Sequence, residues 1–460
     1  MKNFYKTFYQ FNILQIYKRL LQISFSKKLI LKIFVSPSQI CYIFFLLLSL
    51  PAKSDIDAIK NSFSLSGITN FSYAYREDNK KNYSFGNDSQ LFIKKDANFK
   101  ESKFGATVKL ETNFNSDNRN EIPLIDQAYL NFDNKMGKFE IGNIIAVNQK
   151  MKYDPSRIAR GAGGINGKYL EHINISYFFN KKIENNNFMI SDFIFLAQSP
   201  IGHGGYARGV YRYENDNYYN LKKIDNSHNY RSIKDNSFDG LEDALKLNYY
   251  TPRISGIQAG LSYTPKTSNN GVQKNISKYF NTNHYKNVFS YGINFLSNIN
   301  NVGIALALTG ENGKYDKSNF LLSQRRYNLS SYDLSATLSY FGFKFSLSNG
   351  LWKKSGLIKS DFYSCNNKCK NYSNSNYKSA GLIYQFGPLS LSLTTIRTNF
   401  LNNIYKAYSS GFDYKFNKHL TSYFEYTKFN FDSPINYKND NTAIINNGGN
   451  IFLSGISYSF

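Results

Sequence analysis

The sequence predicts an all-β fold, a transmembrane antiparallel β-barrel of 16 to 18 strands with short periplasmic turns and long extracellular loops. Three observations point to this class. The 460 residues are 17% aromatic but only 19% charged, whereas a soluble globular domain has about 25% charged residues. Apolar and polar residues alternate with a period of two along most of the chain, which is typical of strands. After residue 54, no stretch approaches the roughly 18 consecutive apolar residues of a spanning helix.

Residues 1–54 have the composition of a secretory signal peptide with an extended basic N-terminus. They contain eight Lys and Arg residues, no Asp or Glu, and one apolar run, 40–50, followed by small residues at Ala52 and Ser54. A basic stretch, a short apolar run and a small-residue cleavage site are the parts of such a peptide. We expect cleavage near Ser54 and a barrel domain over 55–460, whose net charge is 24 − 8 = +16. A retained helical anchor is the alternative.

The stretch 332–340 illustrates the alternation. One of its faces carries Tyr, Leu, Ala, Leu and Tyr, and the other carries Asp, Ser, Thr and Ser. A soluble β-sandwich would also alternate. Here, however, the polar face is built from small residues that suit a wet interior, and aromatic residues mark both ends of the apolar face, as they do at the two interfaces of a bilayer. Because no water satisfies an open sheet edge inside a membrane, such a sheet must close.

The connections and the strand number also indicate a closed barrel in a membrane. Tight turns alternate with long polar stretches such as 201–242 and 355–376, the layout of an outer-membrane barrel. Counting the alternating stretches gives 18 strands, with 16 as the competing number. Either number leaves room for an aqueous channel. The candidates are 65–76, 89–99, 104–114, 125–133, 137–147, 170–180, 188–198, 243–252, 256–266, 287–298, 301–311, 330–342, 343–354, 377–387, 389–400, 406–417, 420–431 and 449–460.

The last strand resembles the barrel-assembly signal of outer-membrane proteins. Phe452, Ile456, Tyr458 and Phe460 fall on one face of an alternation that runs into the final residue. Patches at 65–67, 128–130, 137–143, 247–253 and 262–265 resemble the general porins of Gram-negative outer membranes. The resemblance implies a homotrimer that is integral to the outer membrane, in contact with its lipid and lipopolysaccharide, and inserted by the barrel-assembly machinery.

In that family, the stretch after the strand at 137–143 folds back into the barrel and narrows the pore. The corresponding stretch here is about 148–169, and it contains five basic residues and one acidic residue. A basic neck raises the local anion concentration, so we predict a modest anion preference. The competing explanation is composition alone, because Lys is abundant throughout the chain. The candidate constriction residues are Lys150, Lys152, Asp154, Arg157, Arg160 and Lys168. The candidate wall residues of inward parity are mixed in sign: Lys109, Glu111, Glu140, Asp413, Lys415 and Glu425.

Cys365 and Cys369 lie close together in a long predicted loop. A metal site needs more ligands than these two, and no His lies near them. In an exported protein, a small disulfide that stiffens the loop is the expected outcome.

Enzyme motifs are missing from the sequence. The five His residues form no H-E-x-x-H motif, and no G-x-S-x-G elbow is present, although a catalytic Ser–His pair spread over several strands stays open. We expect no enzyme activity, no cofactor and no nucleic-acid partner. The predicted function is a porin for passive diffusion of ions and small hydrophilic solutes. The alternative is a non-conducting surface barrel that acts as an adhesin or structural protein, and a sugar-specific channel is a third possibility.

Overall fold

The computed structural model describes residues 60–77, 83–99, 101–115, 124–155, 195–196, 207–208, 244–267, 285–315, 327–355, 374–400, 403–432 and 446–460. The strands in these ranges are β1 (Lys60–Arg76), β2 (Tyr83–Phe99), β3 (Ser102–Asn115), β4 (Leu124–Asn134), β5 (Gly137–Asn143), β6 (Phe195–Leu196), β7 (Ala207–Arg208), β8 (Leu245–Tyr250), β9 (Ile257–Lys266), β10 (Tyr285–Ile299), β11 (Val302–Tyr315), β12 (Leu329–Tyr340), β13 (Phe343–Lys353), β14 (Ser375–Phe386), β15 (Leu389–Phe400), β16 (Asn403–Lys415), β17 (Leu420–Asp432) and β18 (Asn446–Ser459). One short helix, α1 (Val147–Lys150), follows β5.

Sixteen of these strands form one closed antiparallel barrel. Each strand pairs with its sequence neighbours, except that β5 pairs directly with β8, and the circle closes where β18 pairs with β1. At this seam the N–H of Gly67 donates to the carbonyl of Phe460, and the N–H of Phe460 donates to the carbonyl of Gly67, both at 3.0 Å. The predicted fold class is confirmed, at the lower of the two strand numbers.

The preferred count of 18 strands was wrong by one hairpin. The candidate at 170–180 lies outside the described residues, and within 188–198 only β6 is described. β6 pairs with β7 in a separate two-stranded sheet, while Asn143 of β5 is the register partner of Leu245 of β8. Alternation shows that a segment has two chemically different faces, but it does not show which sheet the segment joins.

The two faces of the barrel have opposite chemistry. Large apolar side chains point outward and are well exposed, for example Leu393 at 60% and Leu334 at 59%. The inward face of the same sheet carries small polar side chains that are fully buried, such as Ser262, Ser346 and Thr427. An apolar exterior and a polar interior are the pattern of a barrel that crosses a bilayer.

The turns at one end of the barrel are tight. Asn300 and Asn301 join β10 to β11 with φ angles of 47° and 68°, and Phe341 and Gly342 join β12 to β13 with φ angles of 42° and 82°. Positive φ at both central residues is the geometry that matches the twist of the flanking strands. Asn and Gly tolerate this region of φ, whereas a bulky residue such as Phe341 adopts it only under constraint.

Residues 1–54, with the predicted signal peptide, lie outside the described residues. Within the described ranges, no helix has both the length and the apolar character needed to cross a membrane.

Candidate functional site

The chain leaves the barrel wall after β5 and runs along the inner face of the strands that follow. Residues 144–155, which include α1, form this inner segment. The N–H of Val147 donates to Ser262 Oγ at 2.8 Å, and Asn148 Nδ2 donates to Glu311 Oε2 at 3.2 Å. Further along, the N–H of Tyr153 donates to Ser335 Oγ at 3.2 Å. The inner segment is therefore hydrogen-bonded to inward side chains of β9, β11 and β12.

Met151 holds the middle of the inner segment against the wall. It is 2% exposed and packs with Val147 and Tyr250 in a small apolar cluster. Two wall glycines make room for it. A Cβ built at Gly260 would lie 2.6 Å from Met151 Sδ, and one built at Gly292 would lie 3.1 Å from Met151 Cβ. The absence of side chains at these two wall positions creates the recess in which Met151 sits.

Lys152 is the centre of a fully buried ionic cluster. Its Nζ lies 2.9 Å from Asp154 Oδ2 and 3.3 Å from Asp333 Oδ2. The same Nζ donates to the hydroxyl of Tyr377 at 2.5 Å, and Ser348 Oγ donates to Asp333 Oδ2 at 2.6 Å. The cluster thus joins the inner segment to β12, β13 and β14.

The charge of Lys152 is stabilised by its surroundings. Burial alone would lower the pKa of Lys152, but the carboxylates of Asp154 and Asp333 outweigh it and hold the pKa above its ordinary value. Lys152 therefore stays protonated at neutral pH. A buried charge persists in this way only when opposite charges and hydrogen bonds compensate for the lost water.

Glu140 on β5 anchors the start of the inner segment. Its carboxylate is almost completely buried and lies 2.7 Å from both Lys150 Nζ and Lys138 Nζ. Asn248 Nδ2 donates to Glu140 Oε2 at 3.1 Å and to the carbonyl of Ile145 at 2.9 Å. Glu140 is therefore shared by two lysines, one on the wall and one on the inner segment.

The inner wall of β2–β4 is also built from ion pairs. Lys109 Nζ lies 2.8 Å from Glu111 Oε2 and 2.5 Å from Asp126 Oδ2. Asp96 Oδ2 accepts from Lys94 at 3.2 Å and from Lys103 at 3.0 Å. Positive and negative groups therefore alternate over short distances on this part of the wall.

The inner wall changes character towards the end that carries the longer connections. Inward-facing residues near this end are apolar or aromatic and at most 6% exposed: Ala74, Tyr285, Tyr315, Leu329, Trp352, Tyr377, Ile396, Tyr405, Phe429, Ile451 and Leu453. These residues form an apolar inner rim. β6 lies against β15 and β16, which contribute Ile396 and Tyr405. Sequence parity alone missed the rim, because it marks a residue as inward without showing what covers it.

The structure brings some of the predicted site residues together and leaves others apart. Lys150, Lys152 and Asp154 belong to the inner segment, and Glu140 joins them. Lys109 and Glu111 lie on β3, two strands from β5 in the barrel, and pair with each other and not with the inner segment. Asp413 and Glu425 are buried on the inner face of β16 and β17. Lys415 is exposed at the short-turn end. Arg157, Arg160, Lys168, Cys365 and Cys369 lie outside the described residues.

Several wall partners of the inner segment were missed at the level of sequence, among them Glu311, Asp333 and Tyr377. Each has inward parity on its strand, which is the signal that could have found them. What sequence could not supply is the register that brings strands so distant in the chain to the same inner segment. Among the described residues, no group of His, Cys, Asp and Glu is arranged to hold a metal ion.

The C-terminal residues assigned to the assembly signal occupy the lipid-facing side of β18. Ile456, Tyr458 and Phe460 are each about half exposed, and Phe452 lies among Tyr75, Tyr426 and Phe424. The ring of Phe460 lies over Gly67, where an added Cβ would come within 2.7 Å of its Cζ. The terminal aromatic ring thus packs across the closing seam.

Comparison with known proteins agrees with this architecture. Residues 44–434 match the profile of Gram-negative porins. An uncharacterized protein of Rickettsia typhi is 28% identical over 241 residues, which is 42% of this chain and 53% of the relative. A second, from Rickettsia conorii, is 27% identical over 282 residues, which is 51% of this chain and 62% of the relative. The matched regions therefore span between half and two thirds of these relatives.

Among solved structures, an anion-selective porin from Comamonas acidovorans superimposes with a TM-score of 0.51 at 13% sequence identity. The superposition covers 87% of this chain and 100% of that porin, and at this identity the likeness concerns the fold. Because the family profile covers most of the chain and the barrel is closed, the chain belongs to the Gram-negative porin family and is an integral outer-membrane β-barrel.

Proposed function

We propose that the barrel is a channel for passive diffusion of ions and small hydrophilic solutes, without catalysis or a cofactor. The observation that carries this proposal is a closed 16-strand barrel with a polar inner wall and an inner segment bonded to that wall. A barrel of this size has an interior too wide for its wall side chains to fill. The hydrogen bonds of the inner segment hold it at the wall, which favours a narrowed but open path.

Planar-bilayer recording of the refolded protein tests the proposal. We expect stepwise conductance that grows with the salt concentration. Three equal steps per insertion event would support the homotrimer that we also propose, since flat lipid-facing walls of neighbouring barrels can pack together. Heat-denatured protein at the same concentration is the control. A folded protein that inserts into vesicles and leaves the conductance unchanged would contradict the channel.

The apolar inner rim favours a second candidate, a barrel that does not conduct. In a wet mouth, Trp352, Tyr405 and Phe429 would be partly exposed to water, but they are buried. We propose this alternative, a surface barrel with an adhesive or structural role, if the planar-bilayer recording of the folded protein shows no conductance. Swelling of vesicles in sugar solutions distinguishes the two candidates independently of ion flow.

We further propose that any anion preference rests on Arg157, Arg160 and Lys168. Three cations, Lys138, Lys150 and Lys152, are paired with three carboxylates, those of Glu140, Asp154 and Asp333. Lys150 and Lys152 therefore add little to the potential along the path. Reversal potentials in a salt gradient should shift toward cations in the triple variant R157Q/R160Q/K168Q. A variant with the exposed short-turn cations replaced, K135Q/K415Q/K418Q, is the control. An equal shift in both variants would contradict the assignment.

A further inference from the structure

The first half of β1 extends beyond the strand that closes the barrel. β18 pairs with β1 from Ile68 onward, and Gly67 exchanges two backbone hydrogen bonds with Phe460. β2, in contrast, pairs with β1 from residue 60 onward. Residues 60–66 are therefore held by β2 on one side, while no strand in the described part of the chain pairs with their other side. This side of 60–66 is called the open edge.

The parity of the ladder shows which backbone groups point to the open edge. In an antiparallel ladder, a residue directs both its N–H and its C=O to one neighbouring strand, and the next residue directs them to the other. Gly67 directs both groups to Phe460, and β1 pairs with β2 without a register shift through this stretch. Leu65 and Phe63, two and four positions before Gly67, therefore direct their N–H and C=O groups to the open edge. Ser64 directs its groups to β2.

Both faces of this part of β1 are accessible. Residues 62–66 are all exposed, and the outward side chains of Phe63 and Leu65 are 65% and 52% exposed. Further along the same strand, inside the closed barrel, the inward side chains of Asn70 and Ser72 are only 6% exposed. The barrel therefore does not enclose the inner face of 62–66, and a partner can approach the open edge from outside the barrel.

The open edge lies on the periplasmic side of the apolar band. Lys60 is the register partner of Asn98, next to the short turn between β2 and β3. From Gly67 to residue 61, six positions at about 3.3 Å each and a tilt of about 40° give roughly 15 Å along the barrel axis. Hydrocarbon does not tolerate unpaired backbone groups of an open sheet edge. The open edge therefore extends from the level of Phe460 into the periplasm.

The backbone of the open edge determines the kind of partner it fits. A row of N–H and C=O groups on an ordered strand is a template for another extended chain. The tilt of the strands excludes a second copy of this barrel in the same membrane, because such copies are related by rotation about the membrane normal. After a half-turn, strands that tilt by about 40° cross at about 80°, whereas backbone pairing needs strands that are nearly aligned. The partner is therefore a segment that can align with β1, as an extended periplasmic polypeptide can.

The side chains of the open edge indicate the sequence pattern of that segment. Residues directly opposite each other in an antiparallel pair lie on the same face of the sheet. We therefore expect apolar residues opposite Phe63 and Leu65, and polar residues opposite the serines between them. An alternation of apolar and polar residues matches both faces of this part of β1.

The charges on β2 and β3 beside the open edge are mainly positive. Lys95 is opposite Phe63 in the register and is exposed. Asp96 accepts from both Lys94 and Lys103, so that one carboxylate is shared by two lysines. A segment with acidic residues at its polar positions complements this positive excess.

We propose that the open edge is a binding site for an extended acidic segment of a periplasmic polypeptide. The segment adds a strand to the sheet, antiparallel to β1 and in line with β18, and its main chain bonds to Phe63 and Leu65. It links the barrel to a periplasmic partner without entering the lumen. The site is therefore independent of the proposed conduction, and a barrel that does not conduct would bind the segment equally well.

Binding of a fluorescently labelled synthetic peptide, EVEVEVE, to the refolded protein in detergent tests the site by anisotropy. The test variant F63P/L65P removes two N–H donors of the open edge and keeps the hydrogen bonds to β2, because proline is tolerated where the N–H of an edge strand faces solvent. The matched control F63A/L65A shortens the same side chains and keeps the donors. We expect the test variant to bind the peptide at least about tenfold more weakly than the control. Equal binding by the two folded variants would overturn the proposal.

Methylation of the peptide nitrogens tests the orientation of the bound strand. When its valines lie opposite Phe63 and Leu65, their N–H groups face β1, and the N–H groups of its glutamates face away. Methylation of the valine nitrogens should therefore abolish binding, whereas methylation of the glutamate nitrogens should leave it nearly unchanged. Equal binding of the two methylated peptides would contradict strand addition.

Amide hydrogen exchange distinguishes an open edge from one that another part of the chain covers. In the protein without peptide, the N–H groups of Phe63 and Leu65 should exchange fast and that of Ser64 slowly. Slow exchange at all three residues would overturn the proposal. Folding of each variant is checked by its gel mobility before heating. Failure of F63P/L65P to fold, when F63A/L65A folds, would also overturn the proposal, because the two N–H groups would then already be bonded within the chain.

Discussion

At the scale of single residues, the interior of this barrel contains a lysine that is shielded from water. Removing Lys152 would leave Asp154 and Asp333 close together without their cation. Breaking a buried pair by removing one partner costs about 3–5 kcal/mol, mainly because the remaining charge is uncompensated. The cluster is therefore a strong attachment of the inner segment, in contrast to exposed ion pairs, which contribute less than about 1 kcal/mol.

We predict that Lys152→Met lowers the free energy of unfolding in detergent by about 3 kcal/mol. In the background D154N/D333N, the same change should cost much less, because no carboxylate is then left unpaired. Lys135→Ala, which breaks the exposed pair with Glu101, is the control and should change stability by less than about 1 kcal/mol. Denaturant titrations of the wild type and the four variants give the comparison. Equal losses for Lys152→Met in both backgrounds would contradict the pairing.

The stabilising effect of Lys152 also has a pH dependence with a defined sign. Its pKa in the folded protein is raised above the value of 10.5 for an unperturbed Lys. The stabilisation is therefore fully present below pH 10.5 and is lost as the pH rises through the raised pKa. The stability difference between the wild type and Lys152→Met should stay constant from pH 7 to 9 and shrink only in stronger alkali. A difference that already shrinks near neutral pH would show that the pKa is not raised.

A third residue-scale prediction concerns the closing seam. A side chain at Gly67 would collide with the ring of Phe460, and overpacking costs about 1–3 kcal/mol. Gly67→Val should therefore lower the folded fraction after refolding into detergent, measured by gel mobility before heating. Ser66→Val, at the neighbouring exposed position, is the control. In the background Phe460→Ala, Gly67→Val should cost less than in the wild type, although its Cβ would still lie 2.8 Å from the carbonyl oxygen of Gln90. An undiminished effect there would refute the contact.

At the scale of elements, the inner segment is placed by the shape of the wall as well as by charge. A side chain at Gly292 would occupy the space of Met151. If the barrel conducts, Gly292→Val should push the inner segment off the wall and lower the single-channel conductance. Adding Met151→Gly should restore the conductance, because the collision is removed. An unchanged conductance in Gly292→Val would show that the segment does not border the conducting path.

Sequence reasoning predicted the strands better than it predicted their partners. The stretches at 330–342 and 389–400 agree closely with β12 and β15, because alternation and turn residues are local signals. The contact of Lys152 with Asp333 was out of reach, since it depends on the register of strands far apart in the chain. The hairpin counted at 170–198 failed for the same reason, because its alternation does not reveal that β5 pairs with β8.

At the scale of the whole molecule, closure of the barrel does not require the residues between β5 and β8. Asn143 and Leu245 are register partners, so a short turn can join them. We predict that replacing 144–244 by a four-residue turn made of Gly and Asn yields a protein that still folds into a barrel. Its gel mobility before heating should therefore still differ from that of the heated, unfolded chain. A conducting barrel should then carry larger currents, because the inner segment is gone. A barrel of 18 strands would lose two of its strands in this deletion. Failure of the shortened protein to refold would therefore favour 18 strands over 16.

Because β5 pairs directly with β8, the barrel wall and the residues between these two strands can evolve separately. The chain steps out of the sheet at one point and re-enters beside it, so additions or losses in this excursion leave the circumference of the cylinder untouched. Selection can then reshape what fills the interior while the scaffold in the membrane is inherited unchanged.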